Sequence, residues 1–267
     1  YHEFIKKTLT KLNIIASLSR RIYMTNTVII IPSRLQATRL PEKPLKIING
    51  KEMVLHVLDL AIKSAVGDVL VATPDTKISD LINKNKGKSF LSQKNHQTGT
   101  DRVFEAYEKY FSNNPKFIIN LQGDMPNLNP KEIIFLNNYL NKGLCDIVTL
   151  AAPLKTNEVE DQNVVKVLTK QEMKKLTFSS AIDFQRNIIT GQSYFAYHHI
   201  GIYGFTNKAL IKYVNLKRSK LELERDLEQM RALENNMKIH VGLVNSIPLS
   251  VDTEEDLKEI KKNMENK

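Results

Sequence analysis

The sequence has a single cysteine, Cys145, among 267 residues. That excludes an internal disulfide framework and a cysteine-rich zinc site. It has no apolar run of about eighteen residues, so no segment reads as a membrane-spanning helix. No GxxxxGK[ST] is present, which excludes a Walker phosphate loop. No GxGxxG follows the first strand, which argues against a dinucleotide oxidoreductase. Neither HxxxH nor HxH occurs, and no internal repeat or low-complexity segment is visible. A contiguous basic stripe is missing too. Lys and Arg number 39 against 29 Asp and Glu, a formal charge of +10. The cations are dispersed, with acids close by, and no nucleic-acid motif accompanies them. Small anionic substrates suit such a charge better than nucleic acid or a membrane surface.

With 42% hydrophobic residues the chain buries a real core, as one large domain or two small ones. Residues 1–23 differ from the rest. They carry Lys6, Lys7, Lys11, Arg20 and Arg21 against one acid, Glu3. This segment reads as a targeting presequence or, preferably, as sequence upstream of a start at Met24. It is expected to be a poorly structured or non-native leader before a domain covering 24–267.

Residues 28–31, Val-Ile-Ile-Ile, form a run of β-branched residues that reads as a buried strand. Pro32 ends it, since proline donates nothing to a sheet ladder. A loop follows with Arg34, Arg39, Lys43, Lys46 and two more prolines. Residues 45–48 read as a short extended piece closed by the turn pair Asn49-Gly50. Helix is expected over 52–65, strand over 69–72, helix from about 78 to 87 and strand over 89–91. The polar loop 95–102 leads into a helix over 101–111. Phe117–Leu121 reads as the next strand. Asn129, Pro130 and Glu132 are cap, first-turn and capping-box residues of the helix that follows. This alternation predicts a parallel sheet with helices on both faces.

The pattern then changes. Strands are expected at 147–151, 164–168, 176–179 and 200–205, and 180–198 reads as irregular. This predicts an inserted, partly antiparallel subdomain, spanning 152–205, over one end of the sheet. A helix is expected over 222–235, with Leu223, Leu227, Met230 and Leu233 along one side. A strand over 239–244 follows. Thr253 and Asp256 form a capping-box pattern for the last helix.

Four constellations carry chemistry. The cations of the first loop suit phosphates, arginine as a rigid donor fork and lysine as a mobile charge; the same loop also reads as a solvated basic stretch. Asp124 follows an apolar strand, and open parallel sheets bind ligands beyond the carboxyl ends of their strands. Asp252 has a similar context. Two such carboxylates suit Mg²⁺, which takes oxygen ligands and bridges phosphates. They also read as turn and helix-start residues. His199 and His96 are candidate donors, His199 toward a ligand carboxylate, though both also read as surface histidines. Glu228 and Gln229 are offered to sugar hydroxyls or lie on a solvated helix face.

Taken together the segments IIIPSR…TRLPxKPL (28–45), HQTGTDR (96–102), LQGDMP (121–126), HIGIYGF (199–205), LEQMRAL (227–233), IHV (239–241) and VDTEEDL (251–257) resemble the 3-deoxy-manno-octulosonate cytidylyltransferase family. They occur in that family's order over nearly all of residues 27–262. The resemblance implies an α/β, nucleotidyltransferase A-type fold with a mostly parallel twisted sheet, and a cytoplasmic homodimer with the 152–205 subdomain at its interface and sugar side. It implies a Mg²⁺-dependent transfer of CMP from CTP onto the anomeric hydroxyl of the eight-carbon sugar acid, releasing pyrophosphate, for lipopolysaccharide synthesis. Arg34, Lys43, Asp124 and Asp252 take the catalytic places, Asp124 and Asp252 as metal ligands. Arg34, Thr38, Arg39, Lys43, His96, Gln97, Thr100 and Arg102 fall on the nucleotide side. Gln122, His199, Tyr203, Glu228 and Gln229 fall on the sugar side.

Four positions depart from the family's pattern. Glu42 stands where glycine precedes the loop lysine, and Pro74 where a second strand-end carboxylate is usual. Met125 replaces an acid beside Asp124, and Ser180 replaces an arginine. These keep open a weakened or non-catalytic CTP-binding homologue, beside a cytidylyltransferase for a related acid sugar.

Overall fold

The computed structural model describes residues 26–37, 39–112, 114–188 and 193–265. The leader expected over 1–23, the start at Met24 and the nucleotide contact at Thr38 lie outside the described residues.

Strand β1 (Thr27–Pro32) is the axis of the fold, and its β-branched residues are all buried. Strand geometry sends successive side chains to opposite faces. Val28 and Ile30 therefore join one hydrophobic cluster, and Ile29 and Ile31 another. A strand apolar on both faces requires a covering layer on each side. Helices α1 (Met53–Ser64) and α4 (Pro130–Leu140) lie on the second cluster, and α3 (Gly99–Tyr110) and α5 (Asn207–Val214) on the first. A two-strand hairpin, β2 (Ile47–Ile48) and β3 (Lys51–Glu52), precedes α1. Its turn residues Asn49 and Gly50 both have positive φ, 48° and 82°, the requirement that Asn-Gly meets best. The expected extended piece from 45 is shorter than anticipated: Lys43–Leu45 is a 3₁₀ turn built on Pro44.

Among the described residues the main sheet has nine strands. β4 (Asp68–Thr73), β5 (Ser89–Leu91) and β6 (Phe117–Leu121) run parallel with β1, in the order β5-β4-β1-β6. Helix α2 (Thr76–Lys84) connects β4 to β5. Beyond β6 come β10 (Phe195–Thr206), β7 (Ile147–Pro153), β11 (Ile239–Leu243), β9 (Phe178–Gln185) and β8 (Lys166–Thr169). β10 is antiparallel to β6, β7 and β8. The partly antiparallel middle is thus continuous with the main sheet.

Further expectations are corrected. The stretch 180–198, read as irregular, carries the second part of β9 and the start of β10. Its alternation is weak because Ser180, Asp183 and Gln185 interrupt it, and the cross-strand pairing with β8 supplies what periodicity does not. The helix expected over 222–235 is two short helices, α6 (Lys220–Arg225) and α7 (Gln229–Glu234). Asp226 breaks them, with φ 52° and ψ 51°, a left-handed conformation that ends a helix. Leu223, expected to be inward, is exposed.

A third, small cluster joins distant parts of the chain. Leu40, Ile48 and Met53 pack with Val251, Leu257 and Ile260, the last two from the terminal helix α8 (Glu254–Glu265). It draws the first loop and the start of α8 together, and with them Lys43 and Asp252.

Candidate functional site

The loop after β1 is tied down by its backbone. Leu35 N–H donates to Asp75 Oδ2 at 2.8 Å. Glu42 adopts φ 52°, which starts the 3₁₀ turn and aims Lys43 inward. Lys43 Nζ then donates to Asp124 Oδ2 at 3.1 Å and to Asp252 Oδ1 at 3.0 Å. Arg39 pairs with the other oxygen of Asp252, at 3.2 Å. The two carboxylate loops are pinned directly, because Val251 N–H donates to the Asp124 carbonyl at 2.9 Å. Asp252 is further set by the realised capping box of α8. Asp256 Oδ2 accepts from the amides of Asp252 and Thr253, while Thr253 Oγ1 accepts from Asp256 N–H. Burial opposes the charge on Lys43, but the two carboxylates outweigh it and raise its pKa. Two carboxylates 81 and 209 residues from one lysine thus converge on a single cation.

On one side of this triad is a cavity of about 370 Å³, lined by Arg34, Arg39, Lys43, Gln97 and Arg102 among others. Arg102 is buried, and its Nε has no hydrogen-bond partner. Burial lowers its pKa, and the charge of Arg34 lowers it further, with Asp75 and Glu105 offsetting in part. Two guanidinium groups lining one cavity, one buried with an orphaned donor, form a receptor for an anion. Thr98 caps α3, accepting from Asp101 N–H at 3.2 Å, and so places Thr100 and Arg102 in the first turn.

On the other side is a larger cavity of about 650 Å³, lined by Thr100, Gln122, His199, Tyr203, Glu228 and Gln229 among others. Asp124, Asp252, Arg39, Gln122 and Glu228 line both cavities, so the carboxylates stand at their junction. The Asp226 break turns Glu228 and Gln229 toward this space. Glu228 accepts from Thr100 Oγ1 at 2.7 Å, and Gln229 Oε1 accepts from the Tyr203 hydroxyl at 3.2 Å. Burial raises the pKa of Glu228; the bond from Thr100 opposes this and Asp101 adds to it. Burial likewise raises the Tyr203 hydroxyl, which stays protonated. Behind them Glu222 is fully buried and paired with Arg231, at 2.6 and 2.8 Å, and with Arg218, at 2.9 Å.

Most of the expected residues are brought together. His96 is not among the lining residues; it bonds Glu105 Oε2 at 2.6 Å, staying on the flank of the polar loop. His199, expected to present its imidazole to a ligand carboxylate, lines the larger cavity. Burial, with the charge of His198 beside it, lowers its pKa to about 3, so it is neutral. The anomalous residues are also placed. Glu42 points to Lys77, at 2.8 Å, on the exposed side of its turn. Met125 is buried in the second core cluster, and Ser180 is exposed on β9 and lines neither cavity. Pro74 precedes Asp75, whose carboxylate holds the loop rather than the cavity wall. Sequence reasoning missed Glu222, Asp75 and Thr149. The last is a polar residue within the apolar run 147–152, the one signal that marked it.

Among the described residues, no group of three or more His, Cys, Asp or Glu is disposed to hold a metal ion. The arrangement of two carboxylates fits Mg²⁺ nevertheless, since that ion uses one or two carboxylates and completes its shell with substrate phosphates and water. Among the described residues no helix is long and apolar enough to cross a membrane.

Comparison with known proteins agrees with this geometry. The pattern of the family described as Cytidylyltransferase matches residues 28–239. The 3-deoxy-manno-octulosonate cytidylyltransferase of Bartonella henselae is 40% identical over 242 residues, covering 88% of this chain and 97% of its own. That of Rickettsia prowazekii is 41% identical over 231 residues, covering 86% and 92%. A solved CMP:2-keto-3-deoxy-manno-octonic acid synthetase complexed with CTP superimposes with a TM-score of 0.81 at 30% identity, covering 90% of this chain and 98% of that one.

Proposed function

The chain belongs to the 3-deoxy-manno-octulosonate cytidylyltransferase family, and we propose that its geometry serves that family's reaction in the following way. It is a CTP-dependent nucleotidyltransferase that moves CMP onto 3-deoxy-manno-octulosonate, for lipopolysaccharide synthesis. The single observation that carries the assignment of sides is the pair of cavities meeting at Asp124 and Asp252. The smaller holds the cations and takes CTP; the larger takes the sugar acid. An in-line displacement at the α-phosphate needs nucleophile and leaving group on opposite sides of the phosphorus, which is what a junction between two cavities provides.

The nucleophile is the substrate's own anomeric hydroxyl, so the protein supplies none. Arg34 and Arg102 hold phosphate oxygens, and Arg39 and Lys43 stand where negative charge grows as pyrophosphate leaves. Asp124 and Asp252 would hold Mg²⁺, which when bound neutralises phosphate charge and lowers the pKa of a coordinated hydroxyl. Lys43 occupies the space between the two carboxylates and keeps them from repelling one another before substrate arrives. Glu228, Gln229 and Tyr203 orient the sugar acid, resting on the Glu222–Arg231 pair. The reading includes a cytoplasmic location, where CTP is made. It also includes a homodimer, supported by exposed Leu176, Ile182 and Phe195 on or beside β9 and β10, and light scattering gives the mass that decides this.

The test is product identification. Protein incubated with CTP, Mg²⁺ and the octulosonate is expected to yield the CMP–sugar acid, read by mass spectrometry. A nonulosonic acid or a neutral sugar phosphate is expected to yield none. Preference for one of those acceptors would overturn the assignment of the larger cavity.

A further inference from the structure

A bulge in the central sheet shapes the sugar-side cavity. β10 pairs with β7 in register up to Ile200↔Leu150 and resumes at Tyr203↔Thr149, so Gly201 and Ile202 are extra on the β10 side. Bulges free backbone groups from the ladder and re-aim side chains. Thr149 stands opposite this one and is wholly buried. Its Oγ1 lies 2.8 Å from the Ile202 carbonyl, 3.2 Å from the Ile200 carbonyl and 2.9 Å from His199 Nε2.

The proton count follows from these contacts. Carbonyl oxygens only accept, so the one hydroxyl hydrogen of Thr149 is used on them. The contact with His199 is then a bond in which Nε2–H donates to Oγ1. The opposite assignment leaves the buried Ile202 carbonyl facing an oxygen with no proton between them, which costs about 1–3 kcal/mol. A neutral imidazole with its proton on Nε2 has a lone pair on Nδ1. The ring is held on its other sides by the edge contact of Phe184, at 5.0 Å between centroids, and by Tyr203, at 5.5 Å. His199 lines the cavity.

We propose that Thr149 is a positioning residue that fixes His199 in the Nε2–H tautomer, so that Nδ1 offers the cavity a hydrogen-bond acceptor. This rests on reading that cavity as the sugar side. An acceptor pairs with a hydroxyl hydrogen and not with a carboxylate. His199 therefore reads a hydroxyl of the polyhydroxy acid, and the acid's carboxylate is bound elsewhere.

The test uses the full chain labelled with ¹⁵N at its six histidines. The His199 ring, assigned by its loss in His199→Gln, is expected to show a protonated Nε2 and an unprotonated Nδ1 at neutral pH. Thr149→Val keeps the shape of the side chain and removes the hydroxyl. It is expected to erase that fixed tautomer and to raise KM for the octulosonate about tenfold, with KM for CTP changed less than about twofold. Thr149→Ser, which keeps the hydroxyl, is expected to restore both readouts. An imidazolium, or a proton on Nδ1, in the wild-type spectrum overturns the proposal. So does an unchanged sugar KM in Thr149→Val. The spectrum needs no turnover, so a correct tautomer in a protein that transfers nothing would refute the reaction and leave the role of Thr149 standing.

Discussion

Glu42 is the departure nearest the cations, and its effect is calculable. An L-residue in the left-handed region costs about 1–2 kcal/mol relative to glycine, and glycine gives back about 0.5–1 kcal/mol through the greater freedom of the unfolded chain. Glu42 holds φ 52° and pairs with Lys77 where both side chains are more than half exposed. Such a pair contributes about 0.5 kcal/mol. Glu42→Gly is therefore expected to match or exceed wild type by up to about 0.5 kcal/mol, and Glu42→Ala, which keeps the strain and loses the pair, to fall below wild type. The glycine variant should stand above the alanine variant by about 0.5–1 kcal/mol in urea titrations. Because the carboxylate faces Lys77 and not the cavity, KM for CTP should change less than about twofold in either variant. Equal stabilities would refute the strain. A severalfold gain in CTP affinity for Glu42→Gly would refute the orientation and show a carboxylate weakening the phosphate site.

Three further outcomes follow from the same geometry. Glu222→Ala leaves Arg231 buried without its partner and is expected to cost about 3–5 kcal/mol in denaturant titrations, while Lys220→Ala on the exposed face of α6 should be near neutral. His199 has a folded-state pKa of about 3 against about 6.5 when unfolded. The depressed value makes the unfolded chain bind the extra proton, so this stability is complete above pH 6.5 and is lost as pH falls toward 3. By pH 5 the loss is about 2 kcal/mol, and stability–pH curves for His199→Gln should be flatter by that amount. Cys145 is buried and its thiol is pushed up to about 11, so thiol reagents at pH 8 should modify it only on unfolding, as mass spectrometry would show.

Much of this arrangement is legible in local chemistry. Four consecutive β-branched residues specify β1, Asn129-Pro130 specifies the start of α4, and the Thr253–Asp256 pair specifies the start of α8, because each signal is complete within a few residues. The site carboxylates are legible for the same reason, Asp124 three residues beyond the apolar strand that ends at Leu121 and Asp252 directly after Val251. What is hidden depends on partners far along the chain or on backbone that composition does not mark. Asp226 in a left-handed conformation splits a helix whose apolar spacing continues through the break. His96 looks available until Glu105, nine residues on, takes its imidazole. Thr149 is an unremarked hydroxyl in an apolar strand until the bulge opposite supplies two carbonyls and a ring nitrogen. Glu42 looks like an added charge beside phosphate, and only the turn direction shows it facing Lys77.

The most direct measurement is pyrophosphate release by the purified protein with CTP, Mg²⁺ and the octulosonate, compared with Asp124→Asn and Asp252→Asn. Release is expected to require all three components and to fall about a thousandfold or more in each variant, since each change removes a carboxylate that would hold the magnesium. Folding of the variants is checked by their denaturation midpoints. No release by folded wild type, or release that survives both substitutions, would contradict it.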